Sequence, residues 1–302
     1  MQQVIFNGAD GNDILDARES STTLEAFGGE GDDLLLGGSA EDTFFAGGGD
    51  DIVVGQRGND TASLEEGDDR FIWNNGDGSD FIDGGAGFDV TQVNGADGAG
   101  DEFDLRQVDG QAIFNRLNLG LFTLTNEEIE QFEINGQGGD DSLTVDDLTG
   151  SGVQSVVFSG GDGNDFLDAS GTTTPIVADG GAGDDILLGG AGDDILLGGN
   201  GNNVYTGGAG ADIFVVSFDG IDVINDFNRA EGDILQISRS EFGISSIEEL
   251  NYDNTTGVLS LQDTQIATIS NDASSPINSD SSASLVVDSG PVFIPGEDLQ
   301  LV

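Results

Sequence analysis

A period of nine residues constrains this chain more than any other feature. Residues 180–206 read GGAGDDILLGGAGDDILLGGNGNNVYT, one phrase written three times. Aligned on the residue that follows each glycine-rich turn, one array runs through Asp33, Asp42, Asp51, Asp60 and Asp69. A second runs through Asp185, Asp194, Asn203 and Asp212, again at steps of nine. Two residues after each comes Leu35, Phe44, Val53, Ala62 and Phe71, then Leu187, Leu196, Tyr205 and Phe214. Nine fits neither a helical period nor a long strand. It fits a turn of about six residues followed by a strand of about three, whose middle side chain points inward.

The two arrays are copies of each other. GNDILDA at 11–17 matches GNDFLDA at 163–169, and GGEGDDLLLGG at 28–38 matches GGAGDDILLGG at 180–190, both at an offset of 152. Each array opens with a single Asp, Asp13 or Asp165, and a step of 20 before the regular nines. Between them the period lapses. EFDLRQVDGQAIFNRLNLGLFTLT has strand-like runs broken at Asp109-Gly110 and at Asn118-Leu119-Gly120, which are turn signals. One degenerate repeat, NGQGGDDSLTV, lies within that stretch. LNYDNTTGVLSLQDTQIATI at 250–269 reads as a hairpin, and 271–284 as a polar loop. The expected architecture is all-β, with two parallel β-roll arrays joined by an irregular β-rich segment. The expected divisions are 1–92, 93–158, 159–240 and 241–302.

Charge decides what such a fold needs. The chain has 302 residues with 58 acidic against 7 basic ones, a formal charge of −51, and no His. All seven basic residues are Arg, and Cys and Lys are absent. Such a charge repels nucleic acid and anionic membranes and opposes any compact state. With 36% hydrophobic residues the chain is nevertheless too apolar for a solvated acidic coil, so cations must offset the acid on folding. Thiolate, imidazole and Schiff-base chemistry are excluded, and carboxylate chemistry alone remains. No run of 18 apolar residues exists to span a membrane, and the first residues show no ordinary signal peptide.

Glycine turns tolerate positive φ and point carbonyl oxygens outward. With one carboxylate per turn, stacked turns make all-oxygen cages, which suit Ca²⁺ before Mg²⁺. At this point GGEGDDLLL, GGAGDDILL and GGAGADIFV resemble the repeats-in-toxin (RTX, hemolysin-type) calcium-binding repeat. GADIFVVSFDGIDVINDFNRAEGDILQIS at 210–238 is similar to the segment that follows such repeats in serralysin-type exoproteins. The resemblance implies a parallel β-roll with two nonapeptides per turn and Ca²⁺ between loops one turn apart. It would place Asp33, Asp51 and Asp69 on one edge and Asp42 and Asp60 on the other. Asp185 and Asn203 would share an edge, as would Asp194 and Asp212. Asp13, Asp80, Asp89, Asp165 and Asp222 extend the acidic ligand set. Carbonyls of Gly28, Gly29, Gly31, Gly180, Gly181, Gly183, Gly189, Gly190 and Gly192 would complete the cages, for about eight to twelve ions. Asn203 brings no charge, while Ala40 and Leu64-Glu65 stand where the motif has glycine, so those turns should bind more weakly.

Calcium binding is then folding free energy. The chain should be disordered at cytoplasmic calcium and folded at the roughly millimolar level outside. The resemblance implies type I export through an uncleaved C-terminal signal, for which GEDLQLV is the candidate. No HExxH or GxSxG motif is present, so the expectation is a non-enzymatic extracellular structural protein of matrix, surface-layer or fibre type. It would partner calcium and associate with itself. Its support is the apolar flanking positions Leu34, Leu36, Phe45, Ile52, Val54, Ile186, Leu188, Ile195 and Leu197, which should face outward. The alternative is a calcium-dependent adhesin that holds surface glycans through Trp73 and the 93–158 segment. A carboxylate-based glycan-active enzyme is a remote third reading.

Overall fold

The computed structural model describes residues 3–238, 242–244, 249–271 and 285–288. The fold is all-β. Its first fourteen strands are β1 (Val4–Asp10), β2 (Ile14–Asp16), β3 (Leu24–Glu30), β4 (Leu34–Leu36), β5 (Thr43–Gly48), β6 (Ile52–Val54) and β7 (Thr61–Glu66), then β8 (Arg70–Asn74), β9 (Phe81–Ala86), β10 (Val90–Asn94), β11 (Glu102–Val108), β12 (Gln111–Arg116), β13 (Phe122–Glu127) and β14 (Gln131–Asn135). They are followed by β15 (Ser142–Val145), β16 (Ser155–Asp162), β17 (Phe166–Asp168), β18 (Ile176–Ala182), β19 (Ile186–Leu188), β20 (Ile195–Leu197) and β21 (Val204–Thr206). The last are β22 (Ile213–Val216), β23 (Asp222–Phe227), β24 (Ile234–Ser238), β25 (Leu250–Asp253), β26 (Val258–Leu261), β27 (Thr264–Asn271) and β28 (Leu285–Asp288).

Two compact units divide the chain. One comprises Met1–Ala96, Asp101–Gly136 and Asp146–Val156, the other Asp97–Gly100, Gln137–Val145 and Val157–Val302. The division interleaves within the middle segment instead of setting that segment apart.

In the first unit, successive turns of chain alternate between two sheets. β1, β3, β5, β7 and β9 lie side by side in parallel, and so do β2, β4, β6, β8 and β10. Register advances by one rung per two nonapeptides, so that Leu35 pairs with Val53 and Phe44 with Ala62. This is a parallel β-solenoid. The three-residue strands appear where the period places them, and their middle side chains Leu35, Val53, Leu187, Leu196 and Tyr205 are fully buried. Phe44, Ala62, Phe71 and Phe214, also two residues after a repeat position, are buried with them. Each large apolar side chain so buried stabilises the fold by roughly 1.5–3 kcal/mol. Strands β3, β5 and β7 run longer than expected, because the backbone continues in register through the glycine turn and Gly29 pairs with Gly47.

The middle segment is less irregular than its sequence suggests. β13 pairs in parallel with β9, and β14 with β10, so both continue the solenoid. Between them β11, β12 and β13 form an antiparallel meander. Its first turn is the two-residue Asp109-Gly110 loop, with φ of 54° and 94°, the doubly left-handed geometry that matches strand twist. Leu119 and Gly120, with φ of 42° and 111°, make the second. Phe114 packs near Phe103, Phe122 and Phe132 at centroid separations of 5.2, 5.9 and 6.3 Å, and Phe122 stacks on Trp73 at 3.7 Å.

The second unit repeats the design. β15, β17, β19, β21 and β23 form one parallel row, and β16, β18, β20, β22 and β24 the other. β27 joins β23 in parallel and carries β26 and β25 as an antiparallel meander, one strand more than the hairpin expected at 250–269. Residues 272–284 and the 296–302 terminus GEDLQLV lie outside the described residues.

The flanking apolar positions are shielded more than expected. Val54 and Leu197 are buried, Ile186 is 41% exposed, and the others lie between, each covered in part by its neighbours one rung away. Phe27 and Phe45 stack in this way at 5.0 Å.

Candidate metal centres

Most turns between the two sheets end in an acidic residue, or once in Asn203, just before the next strand, and the solenoid stacks those residues into columns. Asp13, Asp33, Asp51, Asp69 and Asp89 form the first. The backbone N–H of each donates to Oδ1 of the next at 2.7–2.9 Å. Asp42, Asp60 and Asp80 form the second, at 2.7 and 2.8 Å. In the other unit Asp141, Asp165, Asp185, Asn203 and Asp222 form one column at 2.7–3.0 Å. Asp194, Asp212 and Asp233 form the other at 3.0 and 3.2 Å. The backbone bond fixes the side chain that accepts it and uses one of its oxygens; in Asp42, Asp194 and Asp233 the second oxygen also accepts a backbone N–H, from Gly38, Gly190 and Asn228.

The second oxygen is what makes these turns sites. Oδ2 of Asp13, Asp33, Asp51, Asp60, Asp69, Asp80, Asp89, Asp165 and Asp185 is buried with no hydrogen-bond partner among the described residues. A buried carboxylate oxygen without a partner is costly, and structures rarely keep one without an ion or water. Carbonyl oxygens converge on the same spots. A Cβ placed on Gly28 would lie 2.2 Å from Asp33 Oδ2 and 2.3 Å from the carbonyl oxygen of Ala46. One on Gly189 would lie 2.3 Å from Asp194 Oδ2 and 2.4 Å from Gly207 O. Gly180 stands in the same relation to Asp185. Among the described residues no three carboxylates converge. The donor set is thus carbonyls with carboxylates from successive rungs, a hard, all-oxygen cradle that fits Ca²⁺.

Glycine serves two different needs in these turns. Gly29, Gly31, Gly181 and Gly183 have φ of 117°, 113°, 97° and 142°, which only glycine adopts freely. Gly189, Gly190 and Gly192 have ordinary φ. There the requirement is close approach, since a Cβ on Gly190 would meet Thr172 O at 2.4 Å. Where Glu65 replaces the motif glycine it takes φ of 81°, so that turn keeps its shape at the expense of backbone strain.

Electrostatics follow from burial. Desolvation, partly offset by the backbone hydrogen bond each carboxylate accepts, pushes Asp60 up to about 8. It takes Asp69, Asp80, Asp212 and Asp222 to about 7. Asp51, Asp89, Asp165, Asp185 and Asp194 reach about 6. Without a cation these turns prefer to be neutral. A divalent ion supplies the opposite charge that lets them ionise.

All the acidic positions that the period singles out fall in these columns, and the edges pair as the β-roll implies. The period alone misses Asp101, Glu130, Asp141 and Asp233. Glu130 ends the first column, with Oε2 accepting the N–H of Asp89 at 2.8 Å. Each of the four is followed two residues later by a buried apolar side chain, Phe103, Phe132, Leu143 or Leu235, the one sequence signal that finds them. Trp73 is no glycan platform. It is 1% exposed, stacked on Phe122, and its indole N–H donates to Gly78 O at 2.9 Å.

The model of the RTX calcium-binding nonapeptide repeat matches in four copies, at residues 27–62, 75–90, 155–171 and 179–214. The chain carries RTX calcium-binding repeats. Repeats of this family bind Ca²⁺ at multiple sites, and calcium is the cofactor of these turns. Among curated proteins no sequence matches the chain. Among solved structures, the extracellular lipase LipA from Serratia marcescens is similar over 89% of this chain, at 18% identity and a TM-score of 0.30. The chain spans 42% of the lipase's length.

Proposed function

We propose that this is a secreted protein that leaves the cell unfolded, by type I export, and folds outside on binding calcium. The columns of half-satisfied buried carboxylates support this reading above all. Ion-free at neutral pH, they must either take up protons or set like charges one rung apart, roughly 4.8 Å, inside a fold with many glycines. Calcium removes that penalty, so the ion concentration sets the folded fraction. Cytoplasmic calcium leaves the chain open for export, and ~1 mM calcium outside closes it.

The folded solenoid is, on this reading, itself the product: a non-enzymatic structural subunit of a matrix, surface layer or fibre. Apolar ladders on the outer faces support the role. Ile14, Leu34 and Ile52 stand in register on one sheet of the first unit, and Phe166, Ile186 and Val204 on one sheet of the second. Ile14 is 72%, Ile186 41% and Phe166 36% exposed, with Leu34, Ile52 and Val204 half-buried beside them, and exposed apolar side chains grouped on one face mark contact surfaces.

Sedimentation velocity tests both steps on one sample. In chelator the chain should sediment as a slow, expanded species, and in millimolar calcium as a compact one that goes on to larger assemblies. A compact calcium-loaded monomer at every concentration would end the structural-subunit reading. An unchanged profile would end the folding switch.

A further inference from the structure

One acidic turn holds a cation of the chain's own. Asp101 stands at a turn position of the column type, since a Cβ on Gly95 would meet its Oδ2 at 2.4 Å, as one on Gly28 meets Asp33 Oδ2. Yet both of its oxygens are engaged by the chain. Oδ2 accepts the N–H of Ala96 at 2.7 Å, and Oδ1 pairs with the guanidinium of Arg116. The two side chains are 0% and 2% exposed. The other arm of the guanidinium donates to Asn75 Oδ1 at 2.7 Å. A fixed positive charge thus sits against this buried carboxylate, where most column turns of the first unit, Asp33, Asp51, Asp60, Asp69, Asp80 and Asp89 among them, present an unpartnered oxygen.

The surroundings of Arg116 share this independence of ions. It ends β12, in the middle of the antiparallel meander, whose first two strands join through a two-residue turn. The rungs from β1 to β10, by contrast, pair residues 18 to 20 apart. Local pairing closes without first ordering a whole turn of chain. The meander is bound by the Phe103, Phe114, Phe122 and Phe132 cluster. Two further ion pairs flank it, Arg106–Asp104 and Arg70–Glu133.

We propose that Arg116 is the built-in cation of the Asp101 turn, and that residues 101–135 hold their fold in the calcium-free chain. They form the seed on which the calcium-dependent rungs of the first unit close. The inference rests on the calcium reading of the other turns, and its test separates the two.

Hydrogen exchange followed by mass spectrometry on the full chain, in excess chelator and in millimolar calcium, reads each segment independently. Peptides within 101–135 should stay protected in chelator by more than about tenfold over those from 24–54 and 185–214, and calcium should protect all of them. Arg116→Met should abolish the chelator-resistant protection, because it leaves a buried carboxylate unpaired. Calcium should restore protection of the arrays in that variant. The double variant Asp101→Asn with Arg116→Met, which removes both charges, should regain protection of 101–135 in chelator. Exchange of 101–135 as fast as the arrays in chelated wild type overturns the proposal. So does an Arg116→Met variant that behaves as wild type, or a double variant no better than the single one. Arrays equally protected with and without calcium would instead overturn the calcium reading.

Discussion

Acid should replace calcium. Ten column carboxylates, Asp51, Asp60, Asp69, Asp80, Asp89, Asp165, Asp185, Asp194, Asp212 and Asp222, are raised from 3.8 to between about 6 and about 8, chiefly by desolvation. A raised folded value means that the fold holds protons the unfolded chain has released. The stability they contribute is whole below about 4 and is lost as pH rises through 6 to 8. Each such proton tilts stability by ~1.4 kcal/mol per pH unit. Solvent at the turns screens part of the effect. If only three of the ten act in full, the slope is still ~4 kcal/mol per pH unit, comparable with the whole stability of an ordinary domain. In buffer stripped of calcium by a chelating resin, the chain should therefore be folded at pH 5 and largely unfolded at pH 8. Calcium should restore the fold at pH 8, and its binding near pH 6 should release several protons. Far-UV circular dichroism across pH 5–8, with light scattering to detect association near the isoelectric point of 4.1, follows the transition. A calcium-free chain with the same structure at pH 5 and pH 8 would refute the argument.

Four substitutions probe the turns and the core. Gly28→Ala puts a Cβ 2.2 Å from Asp33 Oδ2 and should cost about 2–4 kcal/mol in calcium, read from the urea midpoint. Gly11→Ala, at φ of 107° with no atom within 4 Å, should cost only about 1–2 kcal/mol. Asn203→Asp completes the carboxylate column between Asp185 and Asp222, so calorimetric titration should show tighter calcium binding. The same change should destabilise the chelated chain, because Asn203 is fully buried. Trp73→Ala should lower stability by about 3–5 kcal/mol as a core truncation, with calcium stoichiometry unchanged.

What the sequence made legible was whatever recurs at a fixed offset. A parallel solenoid pairs each residue with the one a constant distance on. Asp33, Asp51 and Asp69 therefore report one another, and Leu35, Val53 and Phe71 mark the inner face. The signal fails where that offset changes. β9 finds its partner in β13, 44 residues on, and β10 finds β14 41 residues on, because the meander is inserted between them. Glu130 accordingly lies out of phase, although it ends the column that begins at Asp13. Arg116 was illegible for a different reason. A single guanidinium carries no period, and its partner, 15 residues away, is identified only once antiparallel pairing sets Phe103 opposite Arg116.

That contrast bears on how calcium controls this fold. Asp33, Asp51, Asp69 and Asp185 each spend Oδ1 on the backbone of the preceding rung, so the oxygen left for the ion is positioned by the same bond that holds two rungs in register. A rung that slips loses its ligand geometry, and a rung without its ion keeps a buried, half-satisfied carboxylate. Register and ion occupancy therefore stabilise each other from rung to rung, which is the nearest-neighbour coupling that makes repeat arrays fold cooperatively. Such coupling is costly to start and easy to extend. On the proposal made for Arg116, an antiparallel segment with its own cation and its own aromatic core lets the first unit start without calcium.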